Sequence, residues 1–314
     1  MDFEEYTIII PAYHYPLAEI CVTLIRYFHP DIKIIISFDS DFHVQERKDF
    51  FSKIKNIEII PDRFKQNHSN QLDRMINSYV DTKYFFCLDD DSFIINPYIL
   101  ESINEIINRS QYKGALFIER FSINNAPQRI IPCFFIFETD LFKKHNMSFM
   151  TSYNYVIDGN KKKYYYYDVG AFVLYDIFKY KIPMLYLNEN IHQCIRHLSY
   201  ISHLYQYVDT KIFKNHNFND SLFSVNSKHF DLTNLTSKNF TVAPNPTQYR
   251  SILRSKIDKI NVFTKIANEI ISEKISYPKN YNPLFSNWSK QKTISMILNT
   301  SDMPIKLSKS FSKI

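Results

Sequence analysis

The first hundred residues alternate between two hydrophobic periods. Thr7-Ile8-Ile9-Ile10 is a nearly unbroken apolar run that stops at Pro11. A strand buried on both faces reads this way, without polar alternation. After Pro16, the residues Leu17, Ile20, Cys21, Leu24 and Phe28 recur at helical spacing. Ile32 to Phe38 is a second apolar run, ending in Asp39-Ser40-Asp41, and Val44 to Ile54 predicts a second helix. Ile57 to Ile60 predicts a third strand, stopped by Pro61. Leu72, Met75, Ile76 and Tyr79 then share one helical face, with Ser69 as its expected cap. Tyr84 to Leu88 predicts a fourth strand, which runs into Asp89-Asp90-Asp91. Asn96-Pro97 opens a helix lined by Ile99, Leu100, Ile103, Ile106 and Ile107.

Strand–helix repetition with short links predicts an α/β fold, a parallel sheet covered by helices on both faces. Ligands of such sheets bind at the carboxyl ends of the strands. Pro11-Ala12-Tyr13, Asp39 and Asp89–Asp91 all fall at those ends. Beyond residue 110 the pattern is mixed. Ala115 to Phe121, Cys133 to Phe137, Tyr164 to Tyr167 and Met184 to Leu187 predict strands. Helices are expected from Leu141 and, after Asp168-Val169-Gly170, through Tyr180. A histidine-rich stretch follows, with His192, His197 and His203. Leu253, Ile257, Ile260, Phe263, Ala267 and Ile270 mark one later amphipathic helix.

The charge divides the chain. Residues 211–314 carry 16 Lys+Arg against 6 Asp+Glu, and residues 1–210 carry 22 against 26. The expected organisation is therefore an α/β domain over 1–210 and a basic, mainly helical extension over 211–314. The extension would suit contact with an anionic membrane surface or a partner enzyme, or simply a solvated face. No apolar stretch approaches the roughly 18 residues that span a bilayer. The acidic start Met1-Asp2-Phe3-Glu4-Glu5 lacks the order of a secretory signal. A cytoplasmic protein, peripheral to a membrane at most, is expected. The four cysteines have no C-x-x-C pair, so buried free thiols are expected.

Only three glycines occur, Gly114, Gly159 and Gly170. A glycine-rich phosphate cradle needs several close together. Phosphates would have to be held by a metal, and the acidic run is the place for one. Three carboxylates between two apolar segments repel one another unless a cation visits. Mg²⁺ and Mn²⁺ take oxygen ligands from one or two carboxylates and share the rest with water and phosphate.

These residues resemble the GT-A glycosyltransferases, especially the family 2 type. The resemblance rests on Ile8-Ile9-Ile10-Pro11-Ala12-Tyr13, the second strand ending at Asp39, and Leu88-Asp89-Asp90-Asp91, which looks like the D-x-D motif. Asp168-Val169-Gly170 before a helix and a downstream histidine are weaker matches, and the likeness covers about residues 6–205. Phe38-Asp39-Ser40-Asp41 stands where the family commonly has Asp-Asp-Gly-Ser, which leaves base recognition open. The resemblance implies a Rossmann-like, mostly parallel sheet flanked by helices, with the C-terminal helical extension appended. It also implies a metal-dependent, inverting glycosyltransferase of hexosyltransferase type. The donor would be a nucleotide sugar, UDP-linked by preference, and the acceptor a glycan, lipid-linked or protein substrate. The cofactor would be Mn²⁺ or Mg²⁺, and no nucleic acid would be bound.

On this reading Asp91 holds the metal, with Asp89 on the metal or the ribose and Asp90 turned away by strand alternation. His197 completes the metal shell, with His192 and His203 as rivals. Tyr13 stacks on the base, Asp39 accepts a hydrogen bond from it, and Pro11 shapes the turn. Asn70 and Arg74 approach the diphosphate from the preceding helix. Asp168 is the expected base, with Glu138 and Asp140 as alternatives. An equally ordinary role for Asp168 is to cap the helix that follows. Two other functions fit the same residues. One is a nucleotidyltransferase, which would want a basic glycine-rich loop where Pro11-Ala12-Tyr13-His14-Tyr15 stands. The other is a non-catalytic carbohydrate-binding or scaffold protein on the same fold.

Overall fold

The computed structural model describes residues 3–12, 15–38, 44–61, 68–109, 114–120, 129–158, 161–187, 191, 193–198, 246–273, 284–285 and 288–298. Four strands form its parallel half: β1 (Tyr6–Ala12), β2 (Lys33–Phe38), β3 (Ile57–Ile60) and β4 (Tyr84–Cys87). Three more extend it: β6 (Ala115–Arg120), β7 (Arg129–Glu138) and β10 (Met184–Tyr186). Together they make one seven-stranded sheet in the order β10-β6-β7-β4-β1-β2-β3. β7 is antiparallel to both its neighbours, and every other pairing is parallel. The fold is α/β and Rossmann-like, a mostly parallel sheet flanked by helices.

Successive residues of a strand point to opposite faces, and the core divides accordingly. Ile8, Ile10, Ile34, Ile36 and Phe86 pack with α1 (Tyr15–Phe28), α2 (Val44–Phe51) and α4 (Ile99–Arg109). Ile9, Ile35, Phe85 and Cys87 pack with α3 (His68–Tyr79), α5 (Thr139–Lys144) and α6 (Ala171–Lys179). Burial on both faces is why these strands read as continuous apolar runs rather than alternating ones.

The boundary expected near residue 210 lies outside the described residues. Beyond it, α7 (Pro246–Ile271) buries Ile260, Phe263, Ile266 and Ala267 in the same core as Ile8 and Ile10. The Phe263 ring is 4.7 Å from that of Phe93. α8 (Lys290–Leu298) packs on α4, where Asn96 Nδ2 donates to Thr293 Oγ1 at 2.9 Å and Lys290 pairs with Glu105. The described part of the apolar face of α7 is thus covered by the α/β fold. No helix among the described residues is long and apolar enough to cross a membrane. All four cysteines are buried and free.

Some elements differ from their sequence expectation. α3 begins at His68, so Ser69 lies buried in its first turn rather than at the cap. α2 ends at Phe51, short of Ile54. The Tyr164–Tyr167 run belongs to β9 (Lys161–Tyr167), which among the described residues pairs only with β8 (Ser152–Asp158), in a hairpin apart from the main sheet. β8, β5 (Ser92–Ile94), β11 (Ile195–His197) and α8 carried no readable signal. Two of these strands have three residues each, too few to show a period.

Candidate functional site

The acidic run leaves the sheet beside the end of β1, where Leu88 N donates to Ile9 O at 3.0 Å. It then turns sharply, closed by Ser92 N donating to Asp89 O at 3.0 Å. The chain continues into β5, which pairs antiparallel with β11 and sets His197 opposite Ser92. Leu198 N donates to Asp91 O at 2.9 Å, locking the register. His197 Nε2 consequently lies 3.2 Å from Asp91 Oδ1.

Asp89, Asp91 and His197 each offer a ligand atom, and the three atoms lie within 4.8 Å of one another. An ion with bonds of about 2.0–2.6 Å can bridge such a span. The turn, not strand alternation, brings Asp89 and Asp91 together. Asp90 is 3% exposed and lies outside this group. Burial pushes the Cys21 thiol well up, and of the three carboxylates Asp90 adds most to that shift. The charge of Asp90 thus acts on Cys21 of α1.

Asp89 Oδ1 is buried and accepts no hydrogen bond among the described residues. Its ionic neighbour is His68 Nε2, 3.5 Å away at the start of α3. Burial raises the Asp89 carboxyl above its usual range; His68 opposes this, Asp91 adds to it, and His197 and Arg129 oppose it further. For His197, burial alone would lower the imidazole. The Asp91 charge, the hydrogen bond to Asp91 and a hydrogen bond with Cys133 outweigh burial and carry it well up. A protonated His197 and a divalent cation are alternative counter-charges for Asp91. The orphaned Asp89 oxygen and the two-carboxylate, one-imidazole donor set could hold a divalent metal ion.

Asp168 follows β9 and ends on the same side of the sheet. Gly170 has a φ of 87°, and a Cβ there would stand 2.5 Å from Ile130 O. Only glycine permits this approach, which brings the Asp168–Gly170 loop onto the start of β7. Arg129, the first residue of β7, reaches Asp168 with Nη1 2.5 Å from Oδ2. Asp168 Oδ1 accepts from Val169 N at 2.8 Å, and the N-cap of α6 is Gly170, not Asp168.

The alternatives Glu138 and Asp140 lie away from the acidic turn. Glu138 pairs with Tyr84, the first residue of β4, because β7 runs antiparallel. Both carboxylates therefore lie at the amino edge of β4, opposite the acidic turn. Arg74 makes its contacts elsewhere. Its Nη2 donates to Pro61 O at 3.0 Å and Tyr79 OH at 3.3 Å. Pro61 follows the edge strand β3, about 14 Å from β4 at usual strand spacing. Asn70 is exposed on α3. Tyr13, Asp39, His192 and His203 lie outside the described residues. Pro11 and Ala12 are buried and pair with Ser37 and Phe38, so the ends of β1 and β2 adjoin. Gln71 spans these ends, its Nε2 donating to Ser37 O at 2.6 Å and Ala12 O at 3.5 Å.

Sequence reasoning did not find His68, Gln71, Arg129 or Cys133. None belongs to a motif, and each acquires its place only when α3, β7 or β11 docks. A lone arginine opening a strand has no periodic signal.

No protein-family model matches the chain, and no curated protein does. Several solved structures are similar to parts of it. S. aureus TarS is 14% identical with a TM-score of 0.36, over 46% of this chain and 50% of that one. The galactosyltransferase LgtC, in complex with donor and acceptor sugar analogs, is 9% identical with a TM-score of 0.33, over 45% and 60%. The 4-diphosphocytidyl-2C-methyl-D-erythritol synthase of Anaerococcus prevotii is 13% identical with a TM-score of 0.33, over 46% and 74%. The similar part thus spans half of TarS and less than two thirds of LgtC. At these values the fold rests on strand order and direction alone.

Proposed function

We propose that the protein is a metal-dependent glycosyltransferase of GT-A type. It would move a sugar from a nucleotide-sugar donor to a glycan, lipid-linked or protein acceptor, with inversion. One observation carries the reading: Asp89, Asp91 and His197 converge, with an orphaned buried carboxylate oxygen, at the carboxyl ends of parallel strands. A divalent ion held there would neutralise charge on a diphosphate leaving group.

The chain's own residues then have distinct tasks. Asp89, Asp91 and His197 hold the ion. The adjoining ends of β1 and β2, tied by Gln71, form the floor for the nucleoside, with Tyr13 and Asp39 as its proposed contacts. Asp168 takes the proton of the acceptor hydroxyl. The acceptor oxygen bonds to the sugar's anomeric carbon, the bond from that carbon to the phosphate oxygen breaks, and the nucleoside diphosphate leaves.

The test is a panel of UDP-, GDP- and CDP-sugars with Mn²⁺ or Mg²⁺, followed by thermal stability and by release of nucleoside diphosphate. The expected result is metal-dependent stabilisation by one donor class, with slow donor hydrolysis. A response to nucleoside triphosphates alone, with release of pyrophosphate, would replace this reading by nucleotidyl transfer.

A further inference from the structure

Arg129 contacts one acidic group of the site and acts on a second from further off. Its Nη1 contacts Asp168 Oδ2, and its charge also acts on Asp89 in the metal-ligand group. The backbone fixes it there, since Ile130 N donates to Gly170 O at 3.4 Å. Among the described residues only Nη1 finds acceptors, Asp168 Oδ2 at 2.5 Å and, more distantly, Val169 O at 3.5 Å. A guanidinium carries five donors in a fixed fork, so most of this fork is left for another acceptor. The side chain is 20% exposed, enough for a ligand to meet it.

Asp168 has both oxygens engaged, Oδ2 by Arg129 and Oδ1 by Val169 N. A general base needs a lone pair aimed at the proton it removes. Each oxygen keeps a second lone pair, but Arg129 holds Oδ2, and opening the ion pair frees that oxygen to take the acceptor proton.

The geometry points to an exchange of partners: Arg129 leaves Asp168 for the diphosphate of the bound donor, and the freed carboxylate takes the acceptor proton. This rests on the glycosyltransferase reading above. A diphosphate offers more charge than a carboxylate and more oxygens for bidentate contact. Asp168 and the diphosphate therefore compete for one guanidinium. The base is released only once the donor is in place, so donor loading precedes activation of the acceptor. Arg129 is a positioning residue for Asp168 and a binding residue for the donor.

Competition demands effects of opposite sign that are not additive, so the double variant separates an exchange of partners from simple removal of charge. The probe is inorganic pyrophosphate with Mn²⁺, titrated calorimetrically into the full chain. Arg129→Gln should weaken binding roughly ten- to hundredfold, the loss of a charge-assisted contact. Asp168→Asn removes the internal competitor and should strengthen binding about two- to fivefold, while abolishing sugar transfer. Arg129→Lys should fall between wild type and Arg129→Gln. In the double variant the gain from Asp168→Asn should vanish. Unchanged or weaker binding by Asp168→Asn, at an unaltered melting temperature, would overturn the exchange. Should that variant not fold, equal binding by wild type and Arg129→Gln overturns it instead. If the opposite signs hold but no nucleotide sugar is turned over, the exchange stands and the glycosyltransferase reading falls.

Discussion

Replacing Asp91 by Asn keeps the shape of the side chain and removes its charge. The Asp91 side chain is 5% exposed, with His197 Nε2 3.2 Å from Oδ1, so two consequences separate. The first is a loss of stability in EDTA. Breaking a buried ion pair from one side costs about 3–5 kcal/mol while the partner stays charged. His197 limits that cost by shedding its proton, leaving about 1–3 kcal/mol for the impaired hydrogen bond. The second is loss of the metal response. Mn²⁺ at a hundred times its dissociation constant stabilises a protein by about 2.7 kcal/mol. At roughly 2 °C per kcal/mol for a chain of this size, wild type should melt about 5 °C higher with Mn²⁺ than in EDTA. In Asp91→Asn this shift should vanish. The double variant Asp91→Asn, His197→Gln should regain much of the stability in EDTA and none of the Mn²⁺ response. Differential scanning calorimetry in EDTA and in Mn²⁺ checks all three proteins. An Asp91→Asn protein with the full Mn²⁺ shift would refute the assignment of the cluster as a metal site.

Three further outcomes are expected. Gly170→Ala forces a side chain into a left-handed conformation 2.5 Å from Ile130 O, so urea melts should show a loss of about 1–3 kcal/mol, and turnover should fall further as Asp168 moves. Phe263→Ala empties a position 1% exposed against Phe93 on β5; it should cost about 3–5 kcal/mol and weaken Mn²⁺ binding by calorimetry, because β5 carries the acidic turn. Burial lowers His29 from 6.5 to about 4, so the unfolded chain takes up a proton in that window that the folded chain refuses. The His29 contribution is therefore present above pH 6.5 and lost as pH falls towards 4, about 3 kcal/mol in all. Denaturant midpoints at pH 7 and 4.5 should converge in His29→Gln, and an unchanged difference would contradict the assignment.

Much of the fold was legible because of where its strands lie. β1, β2 and β4 are interior to the parallel half and buried on both sides, so their side chains had to be apolar without interruption. The intervening helices showed their 3.6-residue period because each presents one face to that sheet. The direction of β7 was not legible. Parallel and antiparallel strands bury the same residue types, and the antiparallel pairing of β7 alone carries Glu138 to the amino edge of β4 and Arg129 to the carboxyl edge. The amphipathic period of α7 was clear, but a stripe of apolar residues does not say whether lipid or protein covers it. The packing of Phe263 on Phe93 answers that.

The sequence by itself determined that three carboxylates end a buried strand and that no glycine cradle exists to hold phosphate. Those are local facts, dictated by residue type and neighbours along the chain. The assembly of the site is not local. His197 meets Asp91 through a three-residue pairing of β11 with β5, His68 reaches Asp89 from the start of α3, and Arg129 meets Asp168 across the Gly170 contact. A hydrogen bond or ion pair between distant segments leaves no periodicity in either one, so only tertiary structure decides which charges face one another.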